Sequence, residues 1–236
     1  MTSVEIKDKE NLMTIGKSRD DIAEAYSSEP WWYDLRGFFI LTFAYNSTIG
    51  TQLRFFGPNF GTEHLEVACG TGTLLKMMLR WRRARKLPTV QVTGIDYAAS
   101  MLAGAKKRFA NDPHIHLQHA DAAQLPFPDN TFDSANIANA IHCFPTVDAA
   151  LRDILRVLKP GGTLAANVLL YPGGFSLLRW AAQKINDWGI RKGILNSPFE
   201  QADIGQKMLS AGFEVASEFK AGNTWNVILR KPVRGQ

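Results

Sequence analysis

From Glu63 onward the chain alternates short apolar runs with amphipathic segments, and that alternation restricts it to a largely parallel sheet interleaved with helices. Parallel neighbours need a crossover of a dozen or more residues, usually helical. Strand-like runs fall at 63–68, 90–95, 115–120, 132–138 and 163–170, with helices predicted over 73–86, 100–110 and 148–158. In the last helix apolar residues recur at 151, 154, 155 and 158, a helical spacing. Lys159-Pro160-Gly161-Gly162 reads as the loop that ends it. A further helix is expected over 202–211, stopping at Gly212, followed by strands 213–219 and 224–230 joined across Ala221-Gly222-Asn223.

What precedes the alternation differs in kind. Residues 1–18 read as a loose polar leader, and 19–60 as an aromatic-rich helical lid. Ten of the 25 aromatics lie between Pro30 and Phe60, among them Trp31, Trp32 and Tyr33. The stretch Leu35 to Arg54 is too apolar for a simple surface helix and must pack on something. Residues 61–236 form the main domain, interrupted at about 171–200 by an insertion carrying Trp180 and Trp188. No run of about 18 apolar residues is present, and the mixed, charged start is unlike a secretory signal. Cys69 and Cys143 make neither a metal spacing nor a disulfide framework, so a cytoplasmic setting is expected, with no metal. The net charge of +5 is concentrated in Arg80-Trp81-Arg82-Arg83-Ala84-Arg85-Lys86, where cations complement a helix dipole. No nucleic-acid motif accompanies it, so no nucleic-acid partner is expected.

The chemistry gathers at strand ends. Strand 63–68 runs into Cys69-Gly70-Thr71-Gly72, a tight turn before a helix, where glycines let a ligand approach the backbone. Three acids, Glu66, Asp96 and Asp121, stand at three successive strand ends. In a parallel sheet these lie along one edge, the edge where open α/β sheets bind ligands. An acid at the end of the second strand suits a ribose diol, and one after the third can accept from an exocyclic amine. A nicotinamide dinucleotide fits poorly. The third glycine of its fingerprint is replaced by Leu75, and Glu66 would repel a pyrophosphate but welcome an ammonium. A ligand with adenosine at one end and an amino acid at the other meets these demands.

The stretches Leu65-Glu66-Val67-Ala68-Cys69-Gly70-Thr71-Gly72, Gly94-Ile95-Asp96 and Gln118-His119-Ala120-Asp121-Ala122 resemble the class I S-adenosylmethionine-dependent methyltransferases. So do Leu125-Pro126-Phe127 with Phe132-Asp133, and Leu155-Arg156-Val157-Leu158-Lys159-Pro160-Gly161-Gly162. The resemblance covers roughly 60–231. It implies a Rossmann-like seven-stranded α/β sheet, mostly parallel with an antiparallel last strand and helices on both faces. It also implies S-adenosylmethionine as cofactor and S-adenosylhomocysteine as product. By the same resemblance Gly70 and Gly72 line the methionine portion and Asp96 holds the ribose. Tyr97 lies beside the adenine, Asp121 and Ala122 read its edge, and the backbone at Ala138 and Asn139 approaches the sulfonium. The family's first glycine is Ala68 here, whose carbonyl remains available.

Methyl transfer from a sulfonium is an in-line displacement in which alignment alone can supply about 7–11 kcal/mol. The candidate bases are His142, against the plainer reading of a packing histidine, and Tyr33, against the plainer reading of an apolar lid. The amino-directed tetrapeptide of the family is absent after the fourth strand, where Asn139-Ala140-Ile141-His142 stands. Trp and Phe in the lid and insertion suggest an apolar or aromatic small-molecule acceptor, although they could equally only pack those additions onto the sheet. A close variant works at a membrane surface on a phospholipid or quinone, with Phe38–Tyr45 and the basic run making peripheral contact. A third reading is a protein of this fold that binds the cofactor without methylating, as a partner subunit or a non-methyl catalyst. Acceptor identity and oligomeric state are not encoded in any motif.

Overall fold

The computed structural model describes residues 47–171, 184 and 198–233. The leader, most of the lid including Tyr33, and nearly all of the 171–200 insertion lie outside the described residues. Within them the order is α1 (Ile49–Phe56), β1 (Glu63–Val67), α2 (Thr73–Ala84), β2 (Gln91–Asp96), α3 (Ala99–Arg108), β3 (Ile115–His119) and β4 (Phe132–Ile137). A 3₁₀ turn (Ile141–Cys143) then leads to α4 (Val147–Val157), β5 (Leu158–Leu169), α5 (Gln201–Ser210), β6 (Glu214–Ala221) and β7 (Thr224–Arg230).

The seven strands form one sheet in the order β3-β2-β1-β4-β5-β7-β6. β3 through β5 are parallel, whereas β7 runs antiparallel between β5 and β6. The order reverses direction between β1 and β4, and the crevice beyond such a reversal is where this architecture binds ligands. The sheet expected from the family resemblance is therefore present.

Alternation along the strands sends two different sets of side chains to the two faces. Leu65, Val67, Ala135, Ile137, Leu164, Ala166 and Val168 join Leu151 and Ile154 of α4 and Ile204 and Met208 of α5 in one apolar cluster. The opposite face packs Phe55 and Phe56 of α1 and Leu75 and Met78 of α2 against Val92 and Ala165. It also carries a polar stripe, His64 and Glu66 of β1, Ser134 and Asn136 of β4, and Asn167 of β5, all buried.

The apolar segment that had to pack on something ends in α1. Thr48 caps it, its Oγ1 accepting from Thr51 N at 3.1 Å. Phe56 is fully buried, a side chain whose seating contributes about 1.5–3 kcal/mol.

One expectation is corrected. Lys159-Pro160-Gly161-Gly162 is not a loop before the fifth strand but part of it, since β5 starts at Leu158 rather than Thr163. Phe132 pairs with Leu158 and Ser134 already with Thr163, so β5 bulges between them. Gly161, at φ 80, donates to Lys231 O while Gly162 O accepts from Lys231 N, both at 2.9 Å. The residues after β7 thus give this stretch a ladder partner that its turn-like composition conceals.

Candidate functional site: the carboxyl edge of the sheet

Between Val67 and Thr73 the chain must turn from a strand to a helix in five residues, and it does so with left-handed backbone. Ala68 (φ 55), Gly70 (φ 57) and Gly72 (φ 74) all adopt it. For alanine this conformation costs about 1–2 kcal/mol, so the surroundings must impose it. They do so through Cys69 N, which donates to Ile95 O at 2.9 Å, and Gly70 N, which donates to Asp96 Oδ2 at 2.7 Å. Arg108, at the end of α3, donates from Nε to Thr71 O at 2.8 Å. Gly72 has a second reason to be glycine. A Cβ there would stand 2.6 Å from the Phe109 ring, so this glycine admits the close approach of the α3 end as well as the turn.

Asp96 links two segments. Its second oxygen accepts from Ala98 N at 2.8 Å, so one carboxylate fixes both the glycine turn and the start of α3. Burial raises its pKa, with the bonds from Ala98 and Gly70 opposing. Each oxygen retains a further lone pair for a hydroxyl donor. Tyr97 is half-buried beside it, its carbonyl accepting from His119 Nε2 at 2.8 Å and its ring 5.2 Å from the imidazole. Asp121 Oδ1 accepts from Ala123 N at 2.9 Å, and Ala122 packs on the apolar cluster. Asp96 and Asp121 thus occupy neighbouring strand ends on one edge, as expected.

Glu66 does not join them at the surface. Its side chain is sealed within the polar stripe, Oε2 lying 3.3 Å from both His64 Nε2 and Asn136 Nδ2. Burial pushes its pKa up to about 8 and, with the nearby Arg82 charge, pulls that of His64 down to about 3. At neutral pH the two meet as a largely protonated acid and a neutral imidazole, not as an ion pair. The stripe continues on either side. His64 Nδ1 lies 2.7 Å from Ser134 Oγ, which accepts from Gly61 N at 2.7 Å, while Asn59 Nδ2 donates to Asn136 Oδ1 at 3.0 Å. The reason is alternation: residue 66 faces the same side as 64, toward α1, and is followed by an apolar residue before the turn begins. Cys69 sits above it, and burial with the Asp96 and Glu66 charges pushes its thiol well up, which leaves it a poor nucleophile.

At the end of β4, Ala138 and Asn139 are half-buried, and Asn139 takes φ 56. Asn139 is held from two directions. Asn167 Oδ1 accepts from its backbone N at 2.6 Å and Asn167 Nδ2 donates to its Oδ1 at 2.6 Å. Gln52 of α1 donates to the same Oδ1 at 2.7 Å and accepts from Asn139 Nδ2 at 3.0 Å. Sequence reasoning missed Gln52 and Asn167. Asn167 did leave a signal, a lone amide inside Leu164-Ala165-Ala166-Asn167-Val168-Leu169, whereas Gln52 left none.

His142 follows in the 3₁₀ turn, 4% exposed, its pKa lowered by burial to about 4. It borders a recess of about 450 Å³ lined also by Phe144, Pro145, Val147, Arg152 and Phe199. Asp148 and Lys207 close one side in an ion pair at 2.6 Å. Among the described residues no group of three His, Cys, Asp or Glu side chains is placed to hold a metal ion.

This arrangement agrees with what the chain is similar to. Residues 65–166 match the methyltransferase domain family. A demethylmenaquinone methyltransferase of Staphylococcus aureus is 40% identical over 109 residues, which are 45% of this chain and 42% of that protein. The chain therefore spans less than half the length of this curated relative. Among solved structures, a SAM-dependent methyltransferase from Aquifex aeolicus superposes with a TM-score of 0.62 at 17% identity, covering 86% of this chain and 99% of that one. The [4+2]-cyclase SpnF superposes with a TM-score of 0.61 at 20% identity, covering 78% of this chain and 80% of the cyclase. At such identities the likeness is one of fold. The matched span and the sheet order together support a methyltransferase domain of the class I S-adenosylmethionine-dependent kind over residues 65–166.

Proposed function

We propose that this protein transfers a methyl group from S-adenosylmethionine to an apolar or aromatic small molecule. The observation that carries the reading is the bond from Gly70 N to Asp96 Oδ2, which joins the glycine turn to the acid at the next strand end. That acid keeps lone pairs for ribose hydroxyls, Tyr97 offers a ring beside it, and Asp121 with Ala122 reaches the next strand end. Gly70 and Gly72 supply a backbone open to the methionine portion. Bound S-adenosylmethionine supplies an activated methyl on a sulfonium. The chain's own residues then have to hold donor and acceptor in line, which accounts for most of the acceleration.

His142 is neutral at pH 7 and can orient an acceptor hydroxyl, but an imidazole of pKa about 4 is a weak base. Positioning therefore outweighs proton removal. The recess beside it, with Phe144, Phe199, Pro145 and Val147, suits an aromatic or aliphatic body. The relative's name favours one member of that class, a quinone-type ring.

A second reading takes such an acceptor from a membrane surface. No helix among the described residues is long and apolar enough to cross a membrane. α2 runs from the glycine turn toward the amino edge of the sheet, so Arg80, Arg83, Arg85 and Lys86 lie at the far edge from the cofactor crevice. Arg82 points inward and donates to Gly57 O at 2.7 Å and Pro88 O at 3.1 Å. Docking through this run would turn the crevice away from lipid, which favours the first reading.

Titration calorimetry with S-adenosylhomocysteine and with NAD tests the donor assignment. Tight binding of the adenosyl ligand alone is expected, and tight NAD binding without it would overturn the assignment. Labelled-methyl transfer to a demethylated naphthoquinone and to simple phenols then tests the acceptor class. Binding without transfer to either would favour the non-methylating reading.

A further inference from the structure

We infer that Gln52 is a positioning residue whose carboxamide, with that of Asn167, locks Asn139 so that the Ala138 carbonyl faces the sulfonium of bound S-adenosylmethionine. The inference rests on the methyl-donor reading above and goes beyond it, because it ties α1, which precedes the matched domain, to the reacting end of the donor.

The argument begins with the ladder. β1 and β4 pair up to Val67↔Ile137 and no further. The next amide on the β1 side that could continue the ladder, Cys69 N, is taken by Ile95 O of β2 instead. The Ala138 carbonyl is therefore the first group past the end of the β1–β4 ladder. Its direction follows from peptide geometry. No described peptide bond is cis, so the carbonyl of Ala138 points opposite to the N–H of Asn139. That N–H is directed toward β5 by its 2.6 Å bond to Asn167 Oδ1. The carbonyl consequently points the other way, toward β1 and the turn at Ala68–Gly70. This is the crevice at the reversal of strand order, and a carbonyl oxygen there places partial negative charge beside a cationic ligand.

What keeps Asn139 in this orientation is a set of amide bonds. Its left-handed φ is tolerable for asparagine but not fixed by it. Asn167 is fully buried, Gln52 is 1% exposed, and the bonds between the three side chains are 2.6, 2.7 and 3.0 Å. Gln52 makes both of its contacts on a residue 87 positions away. Removing it leaves Asn139 Nδ2 without its acceptor and frees the side chain to rotate about Asn167.

The test compares two ligands that differ in charge at sulfur, the cationic S-adenosylmethionine and the neutral S-adenosylhomocysteine, by titration calorimetry on the full chain. Gln52→Met keeps length and helix propensity while removing both amide bonds. It is expected to weaken S-adenosylmethionine about threefold to tenfold more than S-adenosylhomocysteine. Phe219→Ala serves as control. It removes the ring that meets Phe55 edge-on at 5.5 Å, so it loosens the seat of the same helix without touching the amides. The control should lower the melting temperature and leave the ratio of the two affinities at its wild-type value. Equal weakening of both ligands by Gln52→Met, or no weakening, would show that Gln52 only supports the fold. Should Gln52→Met not fold, Gln52→Leu read by the same ratio decides in its place. Wild-type protein that binds neither ligand would instead refute the methyl-donor reading itself.

Discussion

Two neighbouring strands, β1 and β4, end in the same unusual way and reach it by different means. Ala68 follows the first at φ 55, and Asn139 stands just past the second at φ 56. Asparagine enters the left-handed region readily, and here its side chain also provides the bonds that hold it there. Alanine has no such means. Its conformation is imposed by the flanking turn, through Cys69 N on Ile95 O, Gly70 N on Asp96 and the Arg108 contact to Thr71. The β4 end is thus fixed by its own side chain, and the β1 end by groups borrowed from β2 and α3. Disturbing a borrowed group should damage the β1 end without altering any residue of the turn.

Asp96→Ala is the severest such disturbance. It removes the acceptor of Gly70 N, the acceptor of Ala98 N and the proposed partner of the ribose together. A loss of about 3 kcal/mol in S-adenosylhomocysteine binding, roughly hundredfold, is expected, with the chain still folded by far-ultraviolet circular dichroism. An unchanged affinity in calorimetry would mean that the turn does not depend on Asp96 and that the ribose lies elsewhere.

Beneath both strand ends lies the stripe that joins them, since Glu66 of β1 is in register with Asn136 of β4. Its protonation gives the second prediction. The folded pKa of Glu66 is raised from 4.5 to about 8, so between these values the folded state keeps a proton that the unfolded state has released, and stability falls as pH rises. His64 and His142 act oppositely. Their folded values, about 3 and about 4, lie below the ordinary 6.5, so stability rises with pH up to about 6.5. Two histidines outweigh one acid below about 6.5, and the acid outweighs their fading contribution above it. Stability should peak near pH 6.5 and drop by about 1 kcal/mol by pH 8, measured by urea unfolding. Glu66→Gln should abolish the drop. A drop that persists in that variant would place its origin outside the stripe.

The β1 end was far more legible in the sequence than the stripe or the β4 end, for a physical reason. A strand, a glycine turn and a helix are local, so Glu63–Ala84 could be read from spacing and turn chemistry. Asp96 and Asp121 could be placed because each ends a recognisable strand. Glu66 was expected to face the glycine turn, and its burial was not legible because Asn136 and Ser134, which complete the stripe around it and His64, come from a strand some 70 positions away. Gln52 was invisible because the helix around it reads as apolar, and only contact with Asn139 gives its amide a use. Lys159–Gly162 carries loop composition, and its pairing depends on Lys231, beyond the end of β7.

A matched pair of glycine substitutions gives the smallest effect and the most direct test of the contrast between the two strand ends. Ala68→Gly relieves about 1–2 kcal/mol of left-handed strain and adds about 0.5–1 kcal/mol of unfolded-state entropy. It should stabilise the protein by about 0.5–1 kcal/mol. Asn139→Gly accepts the same backbone but loses the side-chain bonds to Gln52 and Asn167, and should destabilise by about 1–2 kcal/mol. Urea midpoints shifting in opposite directions would show that identical backbone angles are imposed from outside at β1 and from within at β4. If both variants were stabilised, Asn139 would be strained like Ala68, its amide bonds would contribute nothing net, and the contrast would fail. If both were destabilised, the turn at Ala68 would be relying on its Cβ, which is half-buried and packs against the cluster under α4.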